Sequence, residues 1–417
     1  MKPETIRKID LGIGKIACFA LTCFRLVLDK ISPADRPQAP VKRILFIKLI
    51  EQGATVLAYS AILRAIEMVG RQNVYFCVFE ENRDILDIIN ILPAENIFVI
   101  RNRQFSIFLL DILKSLYRIR KIGIDATVDM EFFARASAIL SYLTGAVRRV
   151  GLHRFTSEAP YRGDLMTHRV HYNPYLHTAK AYHLLVAALD ASPEDLPLVK
   201  LPVAGFEERA PTFVPGEEEL KKVRSILSRE FTQPAAGPIV LLNPNASDML
   251  PLRKWDTEYF VRLGQHILAN YPEASLIITG APSERESAER VCREIGSARA
   301  VCLAGKTTLR ELLVLYTLAD VLVTNDSGPG HFASMTGIHS IVLYGPETPK
   351  LFGAIGGRSH ILYARLACSP CVNVFNHRFS PCRNNVCMQS ISVETVYRKV
   401  EECLKEPRTS GFQKPVA

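Results

Sequence analysis

Short β-branched apolar runs alternate with longer amphipathic segments in two successive stretches of this 417-residue chain. That alternation leaves few folds open. A strand buried on both faces has no solvent side to keep polar, so near-continuous apolar runs separated by helical spacing predict parallel sheets covered by helices. In the first stretch the runs fall at 43–50, 73–80, 97–101, 124–131 and 148–152. In the second they fall at 239–245, 275–280, 300–304, 321–325 and 340–344. Between the stretches, Pro211, Pro215 and Pro234 surround a charged helical segment at 217–231, which reads as a linker. The expectation is an α/β chain of two Rossmann-like doubly wound domains with a central cleft. Its parts would be an arm at 1–40, an N-terminal domain at 41–205, a linker at 206–237 and a C-terminal domain at 238–417. Such sheets bind ligands beyond the carboxyl ends of their strands, so the loops that follow strands carry the information about function.

The arm is basic. Lys and Arg number 51 against 42 Asp and Glu overall, a surplus of nine, and five of that surplus lie between Met1 and Arg43. A positive balance suits an anionic partner such as a sugar nucleotide, a phosphorylated glycan, an anionic membrane or nucleic acid. The apolar run from Ile16 to Leu28 is interrupted by Thr22 and Arg25. It falls short of the roughly 20 residues that span a bilayer, which predicts no transmembrane helix. No small-residue cleavage site follows it, which argues against a secretory signal. Lys8, Lys15, Thr22 and Asp29 recur every seven residues, leaving Ile16, Phe19, Phe24 and Val27 on the remaining face. That pattern fits a helix lying in a membrane surface, or one packed on protein. Pro33, Pro37 and Pro40 then mark a break.

Several familiar signals fail on context. Gly12-Ile-Gly14-Lys-Ile-Ala17 has the dinucleotide spacing but no preceding strand. Gly305-Lys306-Thr307 resembles the end of a phosphate loop, yet Ala300 stands where the first glycine belongs. Thr308 with Glu311 is a helix capping box instead. The sequence contains no Asp-x-Asp, the carboxylate pair with which metal-dependent sugar transferases hold a divalent ion, so a transferase reading implies a metal-free reaction.

Three loops after strands are richer than turns require. In Asn325-Asp326-Ser327-Gly328-Pro329-Gly330-His331 an apolar strand stops, small residues turn and a helix begins. Its first N–H groups, the Ser327 hydroxyl and His331 would meet phosphate oxygens, with Gly328 allowing close approach. The loop from Asn243 through Asn245 and Ser247 to Arg253-Lys254-Trp255 gathers amide, hydroxyl and paired basic groups able to neutralise a diphosphate leaving group. After the run at 275–280, Glu284 offers a carboxylate to the hydroxyls of a ribose. The plain alternatives are a capped turn and solvated surface charges.

Together these motifs make the chain resemble the lipopolysaccharide heptosyltransferase family of glycosyltransferases, glycosyltransferase family 9. The resemblance runs from about Val41 to Glu402. It rests on Lys48-Leu-Ile-Glu-Gln-Gly53, on Phe133-Ala-Arg-Ala-Ser-Ala-Ile-Leu with Leu143-Thr-Gly-Ala-Val-Arg-Arg-Val-Gly151, and on Pro244 through Lys254-Trp255. Gly305-Lys-Thr-Thr-Leu-Arg-Glu-Leu312, Asn325 through His331 and Tyr344-Gly-Pro-Glu-Thr348 complete it. The resemblance implies the two-Rossmann GT-B fold, an ADP-heptose-like donor, and inverting, metal-independent transfer to a lipopolysaccharide core or another cell-surface glycan. It assigns the donor pyrophosphate to Ser327, Gly328 and His331, charge neutralisation to Lys254, and nucleoside contacts to Glu284 and Asp326. It places the acceptor on the first domain, where Arg135, Arg149 and His153 would meet anionic sugars. One position departs from the family: Gly53 is followed by Ala54, where relatives carry the Asp expected as general base. Glu51, in the same turn, is the nearest carboxylate able to take the acceptor proton, against a plain reading as a solvated surface residue. A non-catalytic sugar-nucleotide-binding protein of the same fold is the alternative function.

Ten cysteines in a chain this long do not form a disulfide scaffold. Cys18, Cys23, Cys77, Cys292, Cys302 and Cys403 mostly lie within apolar or helical segments, as buried free thiols do, which predicts a reducing cytoplasm; with the arm, the expectation is a cytoplasmic protein held peripherally at the inner membrane. Cys368, Cys371, Cys382 and Cys387 are clustered. Their spacing suits a structural zinc bound by four thiolates, with unligated thiols or disulfides as the alternatives, and no cofactor is expected for catalysis. Aromatic interleaving and a nucleic-acid-binding module are lacking, so no nucleic-acid partner is expected.

Overall fold

A computed structural model describes residues 3–31, 40–153, 161–232, 237–246, 250–356, 358–375 and 378–406, with side chains from Asp10 onward. The chain divides into two compact units, Met1–Glu208 with Val374–His377, and Arg209–Asn373 with Arg378–Ala417.

The first unit is built on six parallel strands: β1 (Ile44–Ile47), β2 (Val74–Phe79), β3 (Ile97–Ile100), β4 (Ala126–Asp129), β5 (Arg148–His153) and β6 (His168–His171), in the order β3-β2-β1-β4-β5-β6. The second repeats the plan with β7 (Ile239–Asn243), β8 (Ser275–Ile278), β9 (Ala300–Cys302), β10 (Val321–Asn325), β11 (His339–Tyr344) and β12 (Ser359–Tyr363), in the order β12-β11-β10-β7-β8-β9. In both sheets the strand order reverses beside the first strand, the topology that leaves a ligand crevice at the carboxyl ends. Both units are Rossmann-like, as the alternating pattern predicts. β1, β2, β7 and β10 are buried along their whole length.

Two strands are absent from the apolar pattern. β6 reads His-Arg-Val-His and β12 reads Ser-His-Ile-Leu-Tyr. Each closes a sheet edge, where one side of the ladder faces no further strand and polar residues are tolerated, so neither forms an apolar run. The segment expected as a linker also has structure. Its helix Glu217–Glu230 belongs to the second unit, where Glu219 pairs with Arg310, Lys222 with Glu311 at 2.8 Å, and Glu230 with Lys306 at 2.6 Å.

The arm differs from its reading in length. It forms one helix, Pro3–Ile31, and its portion Asp10–Ile31 is long and apolar enough to cross a membrane by length and composition. Thr22 and Arg25 interrupt the apolar run but not the helix. The Thr22 hydroxyl donates to the Cys18 carbonyl at 2.7 Å, and Arg25 pairs with Asp29 one turn on at 2.9 Å. Part of the polar stripe faces protein, while Lys15 is exposed. Asp10 accepts from the backbone N–H of Arg135 (3.0 Å) and Ala136 (2.8 Å), Thr22 from that of Asp164 (2.9 Å), and Arg25 reaches the Asp164 carboxylate at 2.8 Å. Gly163 lies so close that a Cβ there would stand 2.9 Å from the Cys18 carbonyl oxygen, and its φ of 79° already favours glycine. Ile13, Ile16, Phe19, Phe24, Val27 and Ile31 point away from the protein and are exposed. Pro33 and Pro37 lie outside the described residues.

Candidate functional site

In the first unit, charged groups that few chains bury collect where β1 and β4 end. Lys48 is fully buried, its ammonium 3.2 Å from Glu51 Oε2 and 3.1 Å from Glu131 Oε2. The other Glu131 oxygen accepts from the N–H of Leu49 (2.6 Å) and Ile50 (3.2 Å), so this carboxylate holds the turn after β1. Beneath it, buried Asp129 accepts from the Ser137 hydroxyl (2.9 Å) and the Glu131 N–H (3.0 Å) and pairs with buried Arg162. Pairing is what makes such burial tolerable, because an ion left alone there would cost several kcal/mol. Glu51 is the partly exposed member. Its φ of 70° is left-handed, a conformation costing about 1–2 kcal/mol for a residue with a Cβ. The helix Gln52–Leu57 that starts there compensates in part, since the Glu51 carbonyl accepts from Ala54 (3.0 Å) and Thr55 (3.2 Å).

The three groups expected at the acceptor divide. Arg135 is 2% exposed and lies beneath the N-terminal helix, its Cβ against Gly14 and its guanidinium 3.6 Å from Asp10, so it braces that helix and does not face solvent. Arg149 donates to the carbonyls of Leu165 (2.8 Å) and Ala146 (2.6 Å) and lies over the Tyr142 ring, a packing role. His153 ends β5 half-buried. Desolvation holds its pKa below the usual 6.5, opposed by Asp164, so the ring is neutral near pH 7.

In the second unit the loops expected to hold a donor converge on Asn325, at the end of β10. Its amide donates to the carbonyls of Pro244 (3.1 Å) and Asn245 (3.2 Å), and its oxygen accepts from the Trp255 N–H at 2.9 Å. One side chain thereby ties the loop after β7 to the turn after β10. Buried Trp255 anchors the same loop through its indole N–H to the Ile391 carbonyl at 2.8 Å, fixing the chain beside Lys254. Asn245 is buried, its oxygen accepting from Ser287 at 2.9 Å, and a Cβ at Gly280 would stand 2.8 Å from its amide nitrogen, which explains a glycine there. Ser327 stands in extended conformation at the N-cap position of the short helix Gly328–Ala333, where its hydroxyl makes no bond to the helix and donates to the Asn325 carbonyl at 3.1 Å. His331, in that helix, is buried. Glu284 Oε2 accepts from the Ala281 N–H at 2.7 Å, so part of its capacity closes its own turn. Ser247 lies outside the described residues.

Asp326 leads to a group that sequence reading passes over. Glu347, in the Tyr344–Thr348 motif, is 1% exposed and faces Asp326. Burial and the facing carboxylate push Glu347 up to about 8, and burial raises Asp326 as well. Arg253 opposes both, 3.5 Å from Glu347 and 3.8 Å from Asp326, while Arg378 binds Glu347 through two nitrogens at 2.9 and 3.2 Å. Burial and the facing carboxylates thus favour the neutral form of the pair, and the two guanidiniums oppose it. The position of Glu347 after a strand-end Gly-Pro was the available signal; the pairing was not. The roles of Asp129, Glu131 and Arg162 were out of reach for the same reason: Arg162 meets Asp129 and Glu131 from 33 and 31 residues away, and Lys48 meets Glu131 from 83.

Among the described residues no disulfide joins any of the cysteines. Cys23 is exposed, unlike the burial its apolar surroundings suggested, because it lies on the outward side of the N-terminal helix. Burial raises the Cys387 thiol, and Cys371, Cys368 and Cys382 are near enough to add to the effect, so the four clustered residues gather in space. The capping box at Thr308 and Glu311 is formed, with the Glu311 carboxylate accepting from the Thr308 N–H at 2.7 Å.

Comparison with known proteins gives consistent matches. The chain is 25% identical over 174 residues to lipooligosaccharide heptosyltransferase 2 of Campylobacter jejuni, covering 40% of this chain and 51% of that protein. The match thus spans about half the length of that curated relative. Among solved structures, the Escherichia coli ADP-heptose lps heptosyltransferase II aligns with a TM-score of 0.65 and 16% identity, over 87% of this chain and 98% of that one. Escherichia coli heptosyltransferase WaaC with ADP-2-deoxy-2-fluoro heptose aligns with a TM-score of 0.58 and 17% identity, over 86% and 99%. At those identities the likeness is one of fold. Residues 118–378, more than half the chain, match the model of glycosyltransferase family 9 (heptosyltransferase), and the chain belongs to that family.

Proposed function

We propose that this protein transfers a heptose or a related sugar from an ADP-heptose-like donor to a lipopolysaccharide core or another cell-surface glycan, with inversion and without a metal in the transfer step. The observation that carries the reading is the junction at Asn325. It joins the loop bearing Arg253 and Lys254 to the Ser327–His331 turn, so cationic, hydroxyl and backbone N–H donors are held at the strand ends of the second unit. There they suit a sugar diphosphate, and Lys254 and His331 donate to the leaving diphosphate as its negative charge grows. In the first unit Glu51 takes the proton as the acceptor oxygen bonds to the anomeric carbon and the bond to the diphosphate breaks. His153 contributes to acceptor binding at the end of β5. The four gathered cysteines are assigned a structural role, holding zinc or remaining as thiols. The absence of Asp-x-Asp supports the metal-free step.

The decisive experiment incubates purified protein with ADP-heptose and heptose-deficient core oligosaccharide, following ADP release and the anomeric configuration by NMR. Release coupled to a new glycoside of inverted configuration is expected. Donor binding without release across ADP-, GDP- and UDP-sugars would favour the non-catalytic reading, which Ala54 motivates.

We infer a peripheral membrane location on the cytoplasmic side. Asp10, Thr22 and Arg25 of helix Pro3–Ile31 are engaged by its own unit while Ile16, Phe19, Phe24 and Val27 face outward, an arrangement suited to lying in the interface. Helix Phe105–Ile122 of the same unit also exposes Phe105, Leu109, Leu110, Leu113 and Tyr117, and apolar surface on this scale marks a contact with membrane or protein.

A further inference from the structure

Far from the donor turn, at the amino-terminal end of β11, three side chains of metal-ligating type converge. His339 opens β11, His360 stands on the neighbouring β12, and Cys403 comes from the helix Val393–Lys405. The parallel register sets Ile341 beside His360, so His339, two residues earlier, projects from the same sheet face. The helix lays Val396, Val400 and Cys403 on the second unit's core. One donor atom from each of the three residues lies within 4.8 Å of the others. His339 and Cys403 are 3% and 2% exposed, and His360 is half-buried.

The closest pair is His339 Nδ1 and His360 Nε2, 3.1 Å apart. Two imidazoles sharing one hydrogen bond would account for that distance alone. They would leave two features unexplained, namely the buried thiol beside them and the other nitrogen of His339. That Nε2 is buried and makes no hydrogen bond among the described residues, while the Glu406 carboxylate stands 3.6 Å from it. A tetrahedral zinc with bonds of 2.0–2.1 Å holds two nitrogens about 3.3 Å apart, close to the spacing seen. A ligating histidine also characteristically has a carboxylate behind its second nitrogen. The local charge is mixed: Arg358 and Lys399 oppose a cation, and Asp320, Glu402 and Glu406 favour one. Lys399 is itself paired with Glu402.

We propose that His339, His360 and Cys403 bind one zinc ion, with Glu406 orienting His339 and a fourth position left to solvent, pinning the C-terminal helix to β11 and β12. On binding, the Cys403 thiol releases its proton to solvent and ligates as thiolate. The site is distinct from the clustered cysteines 368–387 and from the donor loops.

The test uses the full-length protein. After zinc loading and removal of excess by gel filtration, metal is counted by mass spectrometry in wild type, Cys403→Ser, His360→Gln and Glu406→Gln. Wild type should hold one equivalent more than Cys403→Ser and His360→Gln, and Glu406→Gln should bind that equivalent about 10 to 100 times more weakly. Cobalt-loaded Cys403→Ser should lose the thiolate-to-metal absorption due to a single sulfur. His360→Gln alters a half-exposed edge-strand residue, so its fold, checked by circular dichroism, should survive if Cys403→Ser does not. Equal zinc in wild type and His360→Gln, or no zinc in wild type, would overturn the site. So would zinc lost only on Cys368→Ser, which would assign all the metal to the clustered cysteines.

Discussion

At the residue scale, two carboxylates separate catalysis from structure. Glu51→Gln keeps side-chain size but cannot accept a proton, so turnover should fall by roughly 10² to 10⁴ with donor affinity nearly unchanged. Steady-state kinetics checks this, and normal turnover would remove Glu51 as base. Glu131→Gln should act instead on stability, because its carboxylate holds Lys48 and two backbone N–H groups. The Asp326–Glu347 pair predicts a pH effect. Glu347 ionises near 4.5 in the unfolded chain and near 8 in the folded one. The folded state therefore binds more protons in that window, and its stabilisation, complete below about 4.5, is lost as pH rises through about 8. Glu347→Gln is neutral in both states and should flatten the decline in melting temperature across that range; an unchanged slope would exclude Glu347 as its source. Lys254→Ala and His331→Ala should each weaken ADP-sugar binding by about 1.5–3 kcal/mol, the usual worth of a charged hydrogen bond. Calorimetry measures that loss, and unchanged binding would remove either residue from the donor site.

At the scale of elements, the N-terminal helix braces its unit, and the proposed location makes its outward face the membrane contact. Asp10 caps the helix Arg135–Leu143 from outside, by accepting from its first N–H groups. Asp10→Ala should cost about 1 kcal/mol, as loss of a cap does, seen as a lower denaturant midpoint. Phe19→Ser with Phe24→Ser should leave that stability nearly intact, because both side chains face outward. The same pair should release the protein from anionic vesicles in co-sedimentation. Retention on the vesicles would show that the helix is not the anchor.

For the whole molecule, donor binding should appear as global stabilisation, since a ligand at about 100 times its Kd adds about 2.7 kcal/mol to the state that binds it. A thermal-shift screen of ADP-, GDP- and UDP-sugars should rank the ADP-sugar first. A larger shift with a UDP-sugar would redirect the donor assignment.

What the chain discloses unaided is whatever local periodicity encodes. Two Rossmann-like units were legible because buried parallel strands such as β1 and β10 must be apolar along their length, and the loops proposed for the donor could be picked out because they follow those strands. The edge strands β6 and β12 escaped because an edge relaxes that requirement. Only the folded structure could assign Arg135 to bracing, pair Glu347 with Asp326, or bring His339, His360 and Cys403 together. Each depends on a partner 20 or more positions away, whose approach is decided by packing, and periodicity along the chain holds no record of which distant side chain will meet which.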